Sequence, residues 1–416
     1  MALADSSIYY APASSHAVIN GSFDRDVFKS MWDTFYVDSN GNPTGSRPFA
    51  FPPETKPFVA ESKAFIDVIG KNATLSTIAQ ANTSQFHEAG IYFSSTNEVY
   101  FTSNILNTTT SDGTYTYPIY ASLSKISLNS TNGTYHWETV RPSTSSFVLP
   151  NGGALYGGKL LMAVQGYQLS TPAALIAVDP LAKNPDGTLK SQVLLNNFYG
   201  RPFNSLNDVA ILMRGKGGAT PVGDQWVFFT GKSYPRLPSQ VYAFHPPSGT
   251  IVVVEDRLQR PNGIQFSTDM KTCYISDTGF LSEDPADPAP RDGTGPGTIY
   301  AYDVVQPPQG SDPTTNPPAL RNKRLFAFTD NVTPDGIKLD QDGNVYGGCF
   351  DGVHVWNKNG ALLGKILLGL DIPSDVAGVP AGRGAANMAF VPGGLVMFSE
   401  DRVYFARIKA KGALLE

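Results

Sequence analysis

Six times along this chain an oxygen-bearing side chain leads a short strand, a turn and a second strand ending in small or polar residues. The leaders are Glu88, Asn151, Asn207, Asn262, Asp335 and Asn387, as in Asn262-Gly-Ile-Gln-Phe followed by Cys273-Tyr-Ile-Ser-Asp-Thr. Steps of roughly 50–75 residues suit four-stranded propeller blades, which need about 40–50 residues plus loops. Length alone would suggest two or three domains, but six units of one grammar with no linker make one closed domain. The predicted fold is an all-β, six-bladed β-propeller spanning residues 61–416. Residues 1–60 read as an irregular N-terminal arm that covers the barrel or supplies an outer strand. The longest step contains the Pro/Gly/Asp-rich residues 283–318, read as a surface excursion.

Composition agrees with many short strands and turns: 40 Gly, 32 Pro and 11% aromatic residues. Apolar, β-branched and aromatic runs alternate with Gly, Pro, Asn and Asp clusters, and no helix-period segment of useful length stands out. A formal net charge of −5 without a basic block argues against a nucleic-acid surface. No apolar run reaches the length of a membrane span. Cys273 and Cys349 form no metal-ligand cluster; they either pair or remain as buried thiols in strands. Asn-x-Ser/Thr sequons begin at Asn20, Asn72, Asn82, Asn107, Asn129, Asn132 and Asn331. Seven of them point to a secreted, N-glycosylated protein. The opening Met-Ala-Leu-Ala-Asp has no apolar signal core, so the numbering is expected to start at a mature or engineered end.

The first strand of a propeller blade lines the central channel, so the six leaders should point into one mouth of it. A single Asn-Gly or Asp-Gly is more often a turn, and only the recurrence turns the set into a site. Six carboxylate or amide oxygens around one axis suit Ca²⁺ or another oxygen-liganded divalent cation, which takes six to eight such ligands. Glu88 and Asp335 nearly neutralise a divalent ion, and Asn adds oxygen without repulsion. Zinc would want His or Cys, and neither repeats.

A further set of residues carries a resemblance: Phe86-His-Glu-Ala, Leu194-Leu-Asn-Asn-Phe-Tyr-Gly-Arg, Phe203-Asn-Ser-Leu-Asn-Asp-Val, Pro261-Asn-Gly-Ile, Ile275-Ser-Asp-Thr-Gly, Pro334-Asp-Gly and Asp351-Gly-Val-His-Val-Trp. Over about residues 60–416 the chain resembles the SMP-30/gluconolactonase-like propellers, and among them the fungal lactonohydrolases. That resemblance implies calcium positions at Glu88, Asn207, Asn262 and Asp335, with Asp335 also placed as base. It implies a lactone hydrolase in which the metal polarises the carbonyl and Asp335 draws a proton from water. His87 and His354 are candidates for proton shuttling or substrate orientation, against the blander reading of packed, satisfied histidines. Asn151, Tyr167, Tyr199, Ser205, Tyr234, Arg236 and Asn387 are the candidate substrate-binding residues, for a small lactone or a polyketide- or terpenoid-type molecule.

Two departures from the pattern open a second reading. An acidic residue late in the third unit is replaced by Gly231, and an acidic stretch in the second by Ala163-Val-Gln-Gly166. A mouth without those acids is more apolar and suits a ring-forming hetero-Diels–Alderase of similar propeller type, which needs a shaped pocket rather than activated water. A non-catalytic ligand scaffold is a third reading, since fold does not fix function.

Overall fold

Six sheets surround one axis in the computed structural model, which describes residues 7–11, 36–37, 43–45, 56–106, 120–130, 132–167, 171–213, 220–232, 237–281, 295–331, 333–369 and 384–413. Blade 1 runs from Glu88–Phe93 through Glu98–Thr102 and Leu123–Ser127 to Trp137–Val140. The innermost strands of blades 2 to 6 are Pro150–Tyr156, Ser205–Leu212, Pro261–Phe266, Ile337–Leu339 and Asn387–Val391. Each of these touches its two neighbours, and the sixth touches the first, so the ring is closed.

Closure is made by the chain's early residues. Thr74–Gln80 pairs antiparallel with Arg402–Arg407 and completes blade 6 as its outermost strand. Phe58–Ala60 and then Ile8–Tyr10 extend blade 5 beyond Leu362–Leu367. Between these strands lies a short helix, Lys63–Ile69, that the sequence pattern did not signal. The Ser62 hydroxyl caps it by accepting from the Ala64 N–H, and Gly70 ends it at φ 83°. Part of the expected excursion at 283–318 is regular strand: Thr298–Val305 is the third strand of blade 4. Its β-branched and aromatic residues outweigh the Gly and Pro around it, and residues 282–294 lie outside the described residues.

Strands are apolar on both faces because each blade packs between two others. All eight residues of Ser205–Leu212 are buried. The cores lie between blades: Phe101 stacks on Phe398 across blades 1 and 6 at 5.1 Å, and Phe228 meets Phe266 across blades 3 and 4 at 5.0 Å. Each buried ring of this kind contributes roughly 2–3 kcal/mol of transfer free energy. Cys273 and Cys349 are both buried and free, in the second strands of blades 4 and 5. Asn72, Asn82, Asn129 and Asn132 are exposed, whereas Asn331 is only 3% exposed and closed to a glycan in the folded chain. Asn20 and Asn107 lie outside the described residues.

Candidate active site and cation group

In blades 1 to 4 the pairing of first and second strands slips at the leader, between Glu88 and Ile91, Pro150 and Gly153, Leu206 and Val209, and Pro261 and Ile264. Each slip is a bulge, which turns a side chain out of the regular alternation. That bulge, not a hairpin turn, is the reason for the Asn-Gly pairs. A Cβ on Gly263 would collide with the carbonyl oxygen of Asp335, and one on Gly336 with the side chain of Asn387. Glycine at these positions lets the leader of the next blade close in.

Hydroxyls from second strands then fix the leaders' backbones. Thr102 donates to the Asn151 carbonyl (3.0 Å), Thr230 to the Asn262 carbonyl (2.8 Å) and Ser276 to the Asp335 carbonyl (2.9 Å). The Asp335 N–H donates to the Gly348 carbonyl at 2.8 Å. A side chain on backbone so restrained is pre-positioned for chemistry.

The leaders differ in how well they are satisfied. Asn387 is fully engaged: its amide nitrogen donates to Glu88 Oε2 at 2.7 Å and its oxygen accepts from the Met388 N–H. Asn207 is 1% exposed, yet neither its amide oxygen nor its nitrogen has a partner. The side-chain oxygens of Asn262 and Asn151 are also buried and unpaired. Orphaned buried oxygens are costly unless something binds them. A ring nitrogen of His87 and carboxylate oxygens of Glu88 and Asp335 lie within 4.8 Å of one another. Burial, then the charges of Asp335 and Asp208, push the Glu88 carboxyl well above its usual range, against the opposing pull of His87 and Asn387. Mutually repelling carboxyls at Glu88, Asp208 and Asp335, with unpaired amide oxygens at the leaders of blades 2 to 4, are a donor set that a divalent cation would relieve, so the residues fit the group.

Three contributors were invisible as site residues in the sequence. Asp208 follows Asn207 where three other blades have glycine; it is 1% exposed, accepts from the Val209 N–H at 2.8 Å, and burial lifts its pKa to about 6 despite Lys338. Glu400, on the turn of blade 6 after Gly394–Ser399, places Oε1 2.6 Å from His87 Nδ1. Asn104 donates to both oxygens of Glu400, at 3.4 and 3.2 Å. Burial would lower the His87 pKa, but Glu400, with Glu88 and Asp335, raises it to about 9. The only signal for Glu400 in the sequence was its place after a blade's second strand.

Other candidates stand elsewhere. His354 is 1% exposed, with Nε2 2.7 Å from Asp351 and Nδ1 3.7 Å from Asp330, in a cluster with Lys365 on the third and fourth strands of blade 5. Tyr199 is 80% exposed at φ 48°, its ring edge-on to Phe198 and its hydroxyl 3.5 Å from the Ile251 carbonyl. Ser205 donates to Gln165 at 3.0 Å near the start of blade 3, and Tyr167 forms a bridge with Thr171 after blade 2's second strand. Tyr234 and Arg236 lie outside the described residues.

The blade 5 cluster makes a stability prediction. Burial alone would raise the Asp351 pKa, but His354 and Lys365 outweigh it and hold the carboxyl far below its usual value. A depressed folded pKa stabilises the native state fully above the unfolded value near 4, and that stability is lost as pH falls toward the folded value. Asp351→Asn is expected to remove about 3 kcal/mol at pH 7, because His354 loses its buried carboxylate partner at 2.7 Å and Lys365, of Asp351 and Asp330, keeps only Asp330. It should also flatten the loss of stability below about pH 4, as read by urea unfolding at pH 7, 5 and 3.

A closed six-bladed propeller whose innermost strands are led by buried carboxylates and amides defines the class. Residues 126–282 match the family described as SMP-30/Gluconolactonase/LRE-like region, which bears out the resemblance read from the motifs. The chain is 28% identical over 374 residues to "Lactonohydrolase oryL" of Aspergillus oryzae, covering 84% of this chain and 76% of that protein. It is 33% identical over 137 residues to "Lactonohydrolase oryH" of the same organism, but spans only 27% of that protein's length. Among solved structures it is similar to a gluconolactonase of Xanthomonas campestris, with a TM-score of 0.57, 19% identity and coverage of 86% of this chain and 96% of that one.

Proposed function

We propose that this protein is a lactone hydrolase that uses a divalent cation, Ca²⁺ or another, and acts on a small-molecule substrate at the axial site. The observation that carries this reading is the unpartnered, buried amide oxygens of Asn207 and Asn262, which lead their blades as the clustered carboxylates Glu88 and Asp335 lead theirs. The likeness to lactonohydrolases supports the reaction class. A divalent cation held by Glu88, Asn207, Asn262 and Asp335 would polarise the lactone carbonyl and offset charge on the tetrahedral intermediate.

The chain's own groups supply the rest. Asp335, half-buried and fixed through its backbone by Ser276 and Gly348, takes the proton from the attacking water. Asn387 holds Glu88 in one orientation through its 2.7 Å hydrogen bond. Burial of the leaders excludes bulk water from the reacting centre.

The cycloaddition reading drew on acids lost at Gly231 and Val164. Glu400 and Asp208 supply carboxylates that reading did not count, and this favours hydrolysis. Acid release from aliphatic and aromatic lactones, followed with and without a chelator, is the test. Turnover that collapses on chelation and returns with Ca²⁺ supports the hydrolase. Product formation by metal-free protein from a preformed diene and alkene, with no lactone opened, favours cycloaddition instead. Four exposed sequons support passage through a secretory pathway, and endoglycosidase treatment of the natively expressed protein checks it by mass. No described helix is long and apolar enough to cross a membrane.

A further inference from the structure

The axial donors are not all oxygens. His87 immediately precedes Glu88, and one of its ring nitrogens stands within 4.8 Å of the Glu88 and Asp335 carboxylates. Donors 3–5 Å apart match the edges of a coordination shell with metal–ligand bonds of about 2.1–2.5 Å. A second contact fixes the ring. Nδ1 is taken by Glu400 at 2.6 Å, and Glu400 is itself held by two contacts from Asn104. The Phe86 N–H donates to the Glu400 carbonyl at 2.7 Å, and the His87 N–H to the Thr102 carbonyl at 2.8 Å, so backbone and side chain of this segment are both fixed.

A carboxylate on one nitrogen of an imidazole, with the other nitrogen left for the cavity, is the arrangement in which proteins orient a metal-bound histidine. We propose that His87 Nε2 is a ligand of the axial cation and Glu400 its orienting partner, which makes the site a mixed nitrogen–oxygen set that prefers Mn²⁺, Co²⁺ or Zn²⁺ over Ca²⁺. Imidazole suits these borderline ions, whereas Ca²⁺ gains little from nitrogen. Asn207 and Asn262 offer the unpaired oxygens that complete the shell.

This inference rests on the cation-binding reading of the same site, and the experiment separates the two. Metal-free full-length protein is titrated calorimetrically with Co²⁺ and with Ca²⁺, alongside His87→Gln and Glu400→Gln. The wild type should bind Co²⁺ more tightly than Ca²⁺. Both substitutions should weaken Co²⁺ by on the order of 10- to 100-fold while moving Ca²⁺ by no more than about threefold. Equal losses for both ions, or no loss for Co²⁺, would overturn the histidine assignment and leave metal-assisted hydrolysis standing. A wild type that binds neither ion sinks both. Pulsed electron paramagnetic resonance of the Mn²⁺-loaded wild type needs no variant to fold: nitrogen modulation from a bound imidazole is expected, and its absence refutes the proposal.

Discussion

Asp335→Asn should lower kcat/KM for lactone opening by about 10²- to 10⁴-fold, the range that removal of a general base produces. The substitution is nearly isosteric, and the backbone of residue 335 stays fixed by Ser276 and Gly348. The melting temperature should therefore change little. Asp335 also belongs to the cation group, so part of the loss is weaker metal binding. Assaying at saturating Ca²⁺ separates the two contributions: the deficit that survives saturation belongs to proton transfer. A variant retaining more than about a tenth of wild-type turnover under those conditions would remove Asp335 from the mechanism.

Gly263→Val should cost at least about 5 kcal/mol, a size reserved for severe steric or packing failures. An added Cβ would meet the Asp335 carbonyl oxygen, the Gly336 Cα at 2.9 Å and the Ile337 nitrogen at 3.0 Å. All three are backbone atoms of the next blade, so no side chain can swing aside. Gly263→Ala should fall between, with about 3 kcal/mol lost and activity reduced because residue 335 is displaced with its strand. Gly223→Ala is the internal control: its Cβ would meet nothing within 4 Å, and its stability should stay within about 0.5 kcal/mol of wild type. Denaturant unfolding of the three variants reads the order. Equal stability of Gly263→Ala and Gly223→Ala would mean that the blades do not close on one another at the leaders.

The sixfold spacing was legible in the sequence because the blades repeat the same local problem: an oxygen-bearing leader, bulged in blades 1 to 4, at the head of an apolar strand buried on both faces. That repetition gave the strand pairs and the leaders Glu88, Asn151, Asn207, Asn262, Asp335 and Asn387 before any coordinates. Closure was not legible, since Thr74–Gln80 meets Arg402–Arg407 only after the ring is formed and carries no motif that names its partner. The same holds for the second rank of the site. Glu400 lies some three hundred residues from His87, and only the docking of blade 6 on blade 1 puts their side chains 2.6 Å apart. His354 is the same kind of case: its motif is local, but its partners Asp351 at 2.7 Å and Asp330 at 3.7 Å appear only in the folded blade 5. Local pattern determined the repeating unit and its axial oxygens. Long-range packing alone decided which charges surround them, because electrostatic partners are set by distance in space and leave no period in the chain.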